Sequence, residues 1–242
     1  MLLTIVIPVF NESQMINECL ARLQTLLPPA RQSGPEDFEI IFSDPGSTDG
    51  SIDEIHAALL PSAVRSVTLR LKHPSVGRTV KLGLEQARGE YVLVLPCDVG
   101  LERSALSELI EALRRSQPAW GAFPKRYEPT TLFLNVYLWL QNFVRLRILK
   151  NAVWTNGFFF RRNLIQEVGW PDADFMEDVM LCDRLKLSGK PMLLKSRLTV
   201  SSRRYYPRRS SRRILVNWLI ITLFRLGYQD LKRLKAIYVF FK

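Results

Sequence analysis

Apolar residues along this chain recur with two alternating periods. Leu2–Val9 is an apolar run, as in a strand covered on both faces. Within Glu12–Leu27 the side chains of Met15, Ile16, Cys19, Leu20, Leu23, Leu26 and Leu27 fall at helical spacing, and Pro28-Pro29 stops the helix. Phe38–Ser43 repeats the strand pattern and Ser51–Leu60 the helical one, ended by Pro61. Val64–Leu71 alternates as a third strand, and Arg78–Ala87 is a third helix closed by Gly89. Tyr91–Leu95 is a fourth, buried strand and Ser104–Arg115 a fourth helix. This alternation of strand and helix predicts an α/β fold with a mainly parallel sheet flanked by helices. Ligands of such sheets bind at the carboxyl ends of the strands, which directs attention to Phe10–Glu12, Asp44–Gly50, Lys72–Gly77 and Pro96–Gly100.

The second half is less regular. Thr130–Val144 is free of charge and reads as helical, Ala152–Arg161 as a strand, Glu177–Leu187 as a short helix and Met192–Ser201 as one or two strands. Ile214–Phe224 is apolar apart from Asn217 and Thr222 and lies between basic clusters. Neither apolar stretch reaches the length of about 20 residues needed to span a bilayer. The opening MLLTIVIPVF has no basic segment before it and meets Asn11 and Glu12 early, so a buried strand is expected there rather than a signal peptide.

Charge changes this picture more than composition does. The 242 residues carry a net charge of +11, and 47% of them are hydrophobic, enough for a large single core. From Arg184 to Lys242 there are sixteen Lys and Arg against one acid, Asp230, so a slightly acidic body carries a strongly basic tail. Such a tail suits polyanions: nucleic acid, anionic lipid or the phosphates of a substrate. The three cysteines, Cys19, Cys97 and Cys182, are too widely spaced for a thiolate zinc site, and a reducing compartment fits them.

Several chemistries lose their support on motif grounds. The sequence has no GxGxxG, no GxxxxGK[ST] and no GxSxG, and its two histidines, His56 and His73, lack metal-ligand spacing. A set of acids at expected strand ends remains, followed by a basic cluster. Ser43-Asp44-Pro45-Gly46-Ser47-Thr48-Asp49-Gly50 follows the second strand and reads on its own as a tight turn with a helix cap. Val6–Glu12 ends the first strand, Pro96-Cys97-Asp98 ends the fourth, and Met176-Glu177-Asp178-Val179 begins a later helix. Glu177 and Asp178 would also suit a helix N-terminus, worth about 0.3–1 kcal/mol each.

In this order and spacing, these segments together resemble family-2 glycosyltransferases of the GT-A fold, over residues 1–205. The sequence is most similar to the bacterial radical-SAM/selenodomain-associated transferases at Met176-Glu177-Asp178, at Ser201-Ser202-Arg203-Arg204-Tyr205 and at Asn217-Trp218-Leu219. The resemblance implies a Rossmann-like, mainly parallel sheet and a nucleotide-diphosphate sugar donor. Asp44 would contact the base, and Pro8, Phe10 and Glu12 would line the nucleoside side. Asp98 would hold a divalent cation, Mg or Mn, that bridges the diphosphate. Asp178, with Glu177 as second choice, would be the catalytic base of an inverting transfer. Arg203 and Arg204 would clamp the diphosphate. Trp154-Thr155-Asn156-Gly157 lies where the family places acceptor contacts. Two departures stand out. The usual Asp-x-Asp metal motif reads Pro96-Cys97-Asp98, and Pro45 replaces a residue that is usually Asp, Asn or Gly.

The expected arrangement is a transferase domain over residues 1–202 and a basic, amphipathic helical tail over 203–242. The expected function is inverting transfer of a sugar to a hydroxyl acceptor, with a lipid favoured by the tail. The expected location is cytoplasmic, peripheral on the inner face of a membrane, with an anionic lipid surface and a second copy of the chain as further expected partners. The alternative is a catalytically weakened or non-catalytic GT-A-like module that binds membrane or polyanions. A nucleotidyltransferase would want a Gly-rich basic loop after the first strand, where Asn11-Glu12-Ser13 stands, and no nucleic-acid motif accompanies Tyr205-Tyr206.

Overall fold

The computed structural model describes residues 1–26, 38–58, 64–68, 74–205 and 210–240. The apolar runs of the first half become neighbouring strands: β1 (Leu3–Pro8), β2 (Phe38–Asp44), β3 (Val64–Thr68) and β4 (Tyr91–Val94). β1 pairs in parallel with β2 and β4, and β2 with β3. All of β2 and β4 is buried, which is why these segments lack an alternating pattern. Helices cover both faces. α1 (Ser13–Leu26), α2 (Ser51–Ala57) and, after the two-residue β5 (Val99–Gly100), α4 (Arg103–Ser116) pack against Leu3, Ile5, Ile40 and Leu93. The opposite face, with Val6, Val92 and Val94, takes α3 (Val76–Glu85).

The second half completes the sheet with one reversed strand, β8, and two that run with the first four. β6 (Trp120–Ala122) and β7 (Lys125–Glu128) precede α5 (Leu132–Trp139), which Thr131 caps by accepting from the Leu134 N–H. The charge-free stretch is helical, as its pattern predicts, but from Leu140 to Ile148 the helix widens to π geometry. The expected strand over Ala152–Arg161 divides into a 3₁₀ turn, Trp154–Asn156, and β8 (Phe158–Arg161). Gly157 separates them with φ of 53°, and a Cβ there would collide with Leu198. β8 lies antiparallel between β4 and β6. After α6 (Leu164–Val168) and α7 (Glu177–Leu185), β9 (Met192–Leu193) closes the seven-stranded sheet in the order β3-β2-β1-β4-β8-β6-β9. β10 (Leu198–Ser201) forms a second sheet between β5 and β7.

The C-terminal residues form α8 (Ser210–Arg225) and α9 (Leu231–Phe240). The sequence leaves the apolar face of α8 open to a membrane or to the protein itself, and in the fold it is largely packed on the protein. Val216, Ile220 and Ile221 share a core with Met176, Val179 and Leu234, and Ile214 joins the main core, leaving Leu215 and Leu219 exposed. Among the described residues no helix is long and apolar enough to cross a membrane. Pro28-Pro29, Pro61, residues 69–71, His73, Tyr206, Arg208 and Arg209 lie outside the described residues, as do the side chains of Arg204 and Arg213.

Candidate active site

The parallel strands β1 and β4 end side by side, and the chain leaving each one lines a cavity of about 700 Å³. Pro8, Phe10 and Glu12 come from the first exit, and Pro96, Cys97 and Asp98 from the second. Ser75 and Thr79 at the start of α3, Trp154, Glu177 and Asp178 form the far wall. Asn217 and Ile220 of α8 and Lys235 and Tyr238 of α9 close it, so the C-terminal helices help to build the cavity.

The loop after β2 is a latch between two strand ends. Asp44 is fully buried, accepting from the Ser47 N–H at 3.0 and 3.1 Å and from the Ser47 hydroxyl at 2.7 Å. Ser47 Oγ in turn accepts from the Asn11 N–H, and Asn11 Oδ1 from the Thr48 N–H. Asp49 accepts from the Ser13 N–H at the start of α1 and from Ser51. Slight burial works upward on Asp49, but these hydrogen bonds outweigh it and hold its pKa at about 2. As placed, Asp44 holds the turn that borders the cavity and is not among the residues lining it. The Ser47 donors take three of the roughly four acceptor positions of this carboxylate.

The acid pair sits where a left-handed residue starts a helix. Met176 has φ of 62°, and α7 begins at the next residue with Glu177 and Asp178 in its first turn. Glu177 Oε1 accepts from the Gly77 N–H at 2.9 Å and from Trp154 Nε1 at 3.4 Å. The fit at Gly77 is tight enough that a Cβ there would collide with the Glu177 side chain. Burial, then the neighbouring Asp178 charge, push the Glu177 pKa up to about 7 despite these donors. Asp178 is half-buried on the cavity wall. Its pKa is raised by burial and pulled back by the positive charges of Arg145 and Lys125 and by the Val179 N–H at 2.8 Å.

Two cations stand behind these acids, and neither was singled out in the sequence. Lys125 on β7 is 2% exposed, with its Nζ 3.0 Å from Thr155 Oγ1. Burial first, then Arg145, bring its pKa down to about 7, against the pull of Asp98 and Asp178. Arg145, in the π-helical stretch, lines the cavity. Buried and exposed residues alternate along β7, which puts Lys125 on the buried face with Tyr127. Arg203 reaches the site indirectly, with Nη2 at 2.6 Å from Glu12 Oε2.

The Asp-x-Asp position separates into three environments. Pro96 lines the cavity where the family has its first acid. Cys97 is 2% exposed with its Sγ toward the Pro8 carbonyl, a small core side chain, and Asp98 is buried at 3% while still lining the cavity. Among the described residues no three His, Cys, Asp or Glu side chains gather to hold a metal. Oxygen-liganded Mg²⁺ or Mn²⁺ needs only one or two carboxylates when phosphate and water supply the rest. The residues present therefore fit a cation that shares Asp98 with a diphosphate, and do not fit one held by protein alone.

This fold and cavity are those of a glycosyltransferase domain. The chain belongs to glycosyl transferase family 2, whose model matches residues 4–176. It is 30% identical over 138 residues to undecaprenyl-phosphate 4-deoxy-4-formamido-L-arabinose transferase of Pseudomonas paraeruginosa, a match covering 52% of this chain and 40% of that protein. The match thus spans about two fifths of that relative's length. Among solved structures, S. aureus TarS 1-349 in complex with UDP-GlcNAc superposes with a TM-score of 0.65 at 15% identity, covering 100% of this chain and 71% of that one. Mannosyltransferase PcManGT from Pyrobaculum calidifontis, in complex with GDP-Man and Mn²⁺, gives 0.65 at 19% identity, covering 90% and 61%.

Proposed function

We propose that this protein is an inverting glycosyltransferase that moves a sugar from a nucleotide-diphosphate sugar to a hydroxyl acceptor carried by a lipid. The observation that carries the reading is Asp178, a half-buried carboxylate on the wall of the cavity that Asp98 also lines. In the transfer, the acceptor oxygen bonds to the sugar C1 as the bond from C1 to the diphosphate oxygen breaks. The electron pair leaves with the diphosphate, and Asp178 takes the acceptor's proton. Glu177, with its raised pKa, keeps its proton to higher pH than a solvated carboxyl would and anchors α7 to Gly77 and Trp154. Pro8, Phe10 and Glu12 face the nucleoside side, Arg203 steadies Glu12, and Asp44 shapes the adjoining turn. A divalent cation held by Asp98 would neutralise the leaving diphosphate.

A panel of uridine and guanosine diphosphate sugars, with Mn²⁺ or Mg²⁺ and short-chain polyprenyl acceptors, tests this by release of the nucleoside diphosphate. Turnover with one donor is the expected result. Binding without turnover across the panel would favour the weakened, non-catalytic module, for which Pro96 in place of an acid is the supporting observation.

The finer affinity, to the radical-SAM/selenodomain-associated transferases, belongs to the same proposal. Asn217, part of that subgroup's tail pattern, lines the cavity. So does peripheral attachment to an anionic, cytoplasmic membrane face. Its structural support lies on α5 and the π-helical stretch rather than on α8. Leu132, Val136, Trp139 and Phe143 follow one helical face and are 84%, 56%, 57% and 44% exposed. From Pro129 to Asn151 there is no acid, while Arg147 and Lys150 are basic. An apolar, tryptophan-bearing face beside basic residues suits the bilayer interface. A second copy of the chain is the competing occupant of that face.

A further inference from the structure

A guanidinium does not lose its charge near neutral pH and carries five N–H donors. Burying one without acceptors is unfavourable, so an arginine held that way in a cavity wall calls for an explanation. Half-buried Arg145 does this with one of its donors. Its Nε is buried with no hydrogen-bond partner, and its side chain lines the cavity. The backbone that delivers it is unusual as well. Nine residues of π-helix, Leu140–Ile148, surround it, with the Leu149 N–H bonded to the Val144 carbonyl and the Asn151 N–H to that of Arg145. Widened turns of this kind are rare and recur at functional sites.

A second buried cation reinforces the first. Lys125 is 2% exposed, and its Nζ donates to Thr155 Oγ1, a hydroxyl on the same cavity wall. Each cation raises the cost of the other, which is why Arg145 ranks directly after burial among the causes that lower the Lys125 pKa. Asp98 and Asp178 offset part of that cost for Lys125, and an oxyanion entering the cavity would offset more. Arginine suits a tetrahedral oxyanion because its fork donates two parallel hydrogen bonds.

We propose that Arg145, backed by Lys125 and Thr155, is an oxyanion site that receives a phosphate group during the reaction. This rests on the transferase reading and deepens it. The phosphate belongs either to the donor's diphosphate or to an acceptor that bears a phosphate of its own. Both sources offer the same chemistry to the fork.

The test uses the whole chain, calorimetric titration and four probes: UDP, GDP, farnesyl phosphate and farnesol. Two variants are compared with wild type. Arg145→Met removes the charge, and Arg145→Lys keeps the charge without the fork. Wild type is expected to bind at least one phosphate probe, and Arg145→Met to weaken that binding by about 10- to 100-fold. Arg145→Lys should fall between them. Loss confined to farnesyl phosphate, with farnesol unchanged, assigns the site to the acceptor, and loss confined to the nucleotides assigns it to the donor. A second readout guards against misfolding. Arg145→Met should keep a single cooperative melt, and phosphate probes should raise its melting point less than that of wild type. Equal affinity of Arg145→Met and wild type for every phosphate probe overturns the proposal, as does wild-type protein that binds none of them. The transferase reading fails separately, when wild type turns over no donor in the nucleotide-sugar panel.

Discussion

Replacing Glu177 by Gln should make the protein more stable near pH 7 and remove a pH dependence that wild type shows below it. Glu177 is 7% exposed, and burial followed by the Asp178 charge raises its pKa from 4.5 to about 7. The unfolded chain gives up this proton near pH 4.5, whereas the folded protein keeps it until about pH 7. Between those values the folded state binds more protons, so wild-type stability falls as pH rises. At 1.36 kcal/mol per pKa unit, the loss attributable to this carboxyl is on the order of 3 kcal/mol. The substituted amide has no proton to lose and still offers an oxygen to the Gly77 N–H and to Trp154, from which Glu177 Oε1 now accepts at 2.9 and 3.4 Å. Urea denaturation of both proteins at half-unit steps from about pH 4.5 to 8, a range that spans both ends of the shift, measures the effect. The two stability curves should agree at the acid end and diverge upward, with the variant ahead by about pH 7. Parallel curves over this range would refute the reasoning, because they would mean that Glu177 titrates as it does in water.

Other expectations follow from the same geometry. Lys125→Met should abolish a slope of opposite sign. The wild-type lysine keeps its proton unfolded up to 10.5 but folded only to about 7, so stability should rise by on the order of 5 kcal/mol between those values. A flat wild-type curve above pH 7 would contradict this. Asp178→Asn should reduce turnover by about 100-fold or more with donor affinity nearly unchanged, the pattern of a lost base. A loss confined to affinity would make Asp178 a ligand instead. Asp98→Asn should remove the thermal stabilisation that Mn²⁺ gives in the presence of a nucleoside diphosphate, and a persisting Mn²⁺ shift would exclude Asp98. Flotation with anionic vesicles at low salt should be lost in the double variant Val136→Glu, Trp139→Glu, while flotation unaffected by these changes would move the membrane contact elsewhere.

The four β1–β4 segments and the helices between them were legible because burial on both faces writes itself locally. An apolar run such as Tyr91–Leu95 or a helical stripe such as Ile16, Leu20 and Leu23 needs no distant partner to be recognised. The strand exits that line the cavity followed from that alternation, since a parallel sheet collects its loops at one end. Glu177 and Asp178 were legible as a motif and stand where that motif placed them, at the start of α7.

What only the tertiary structure decided depends on which groups face each other after folding. The insertion of β8 antiparallel between β4 and β6 is a long-range pairing, invisible in Phe158–Arg161 itself. Asp44 and Asp49 share one loop and one residue type, yet the structure turns Asp44 on to Ser47 and gives Asp49 to the start of α1. The apolar face of α8 fits a membrane or the protein equally well in sequence, and the fold packs it on Met176 and Val179. Lys125 and Arg145 are two among 34 basic residues, and nothing in their immediate neighbours distinguishes them. Hydrophobic periodicity is a property of neighbours along the chain, so the sequence alone determines it. Desolvation and pairing of charge are properties of neighbours in space, and they arise only when β7, the π-helical stretch and α7 meet around one cavity.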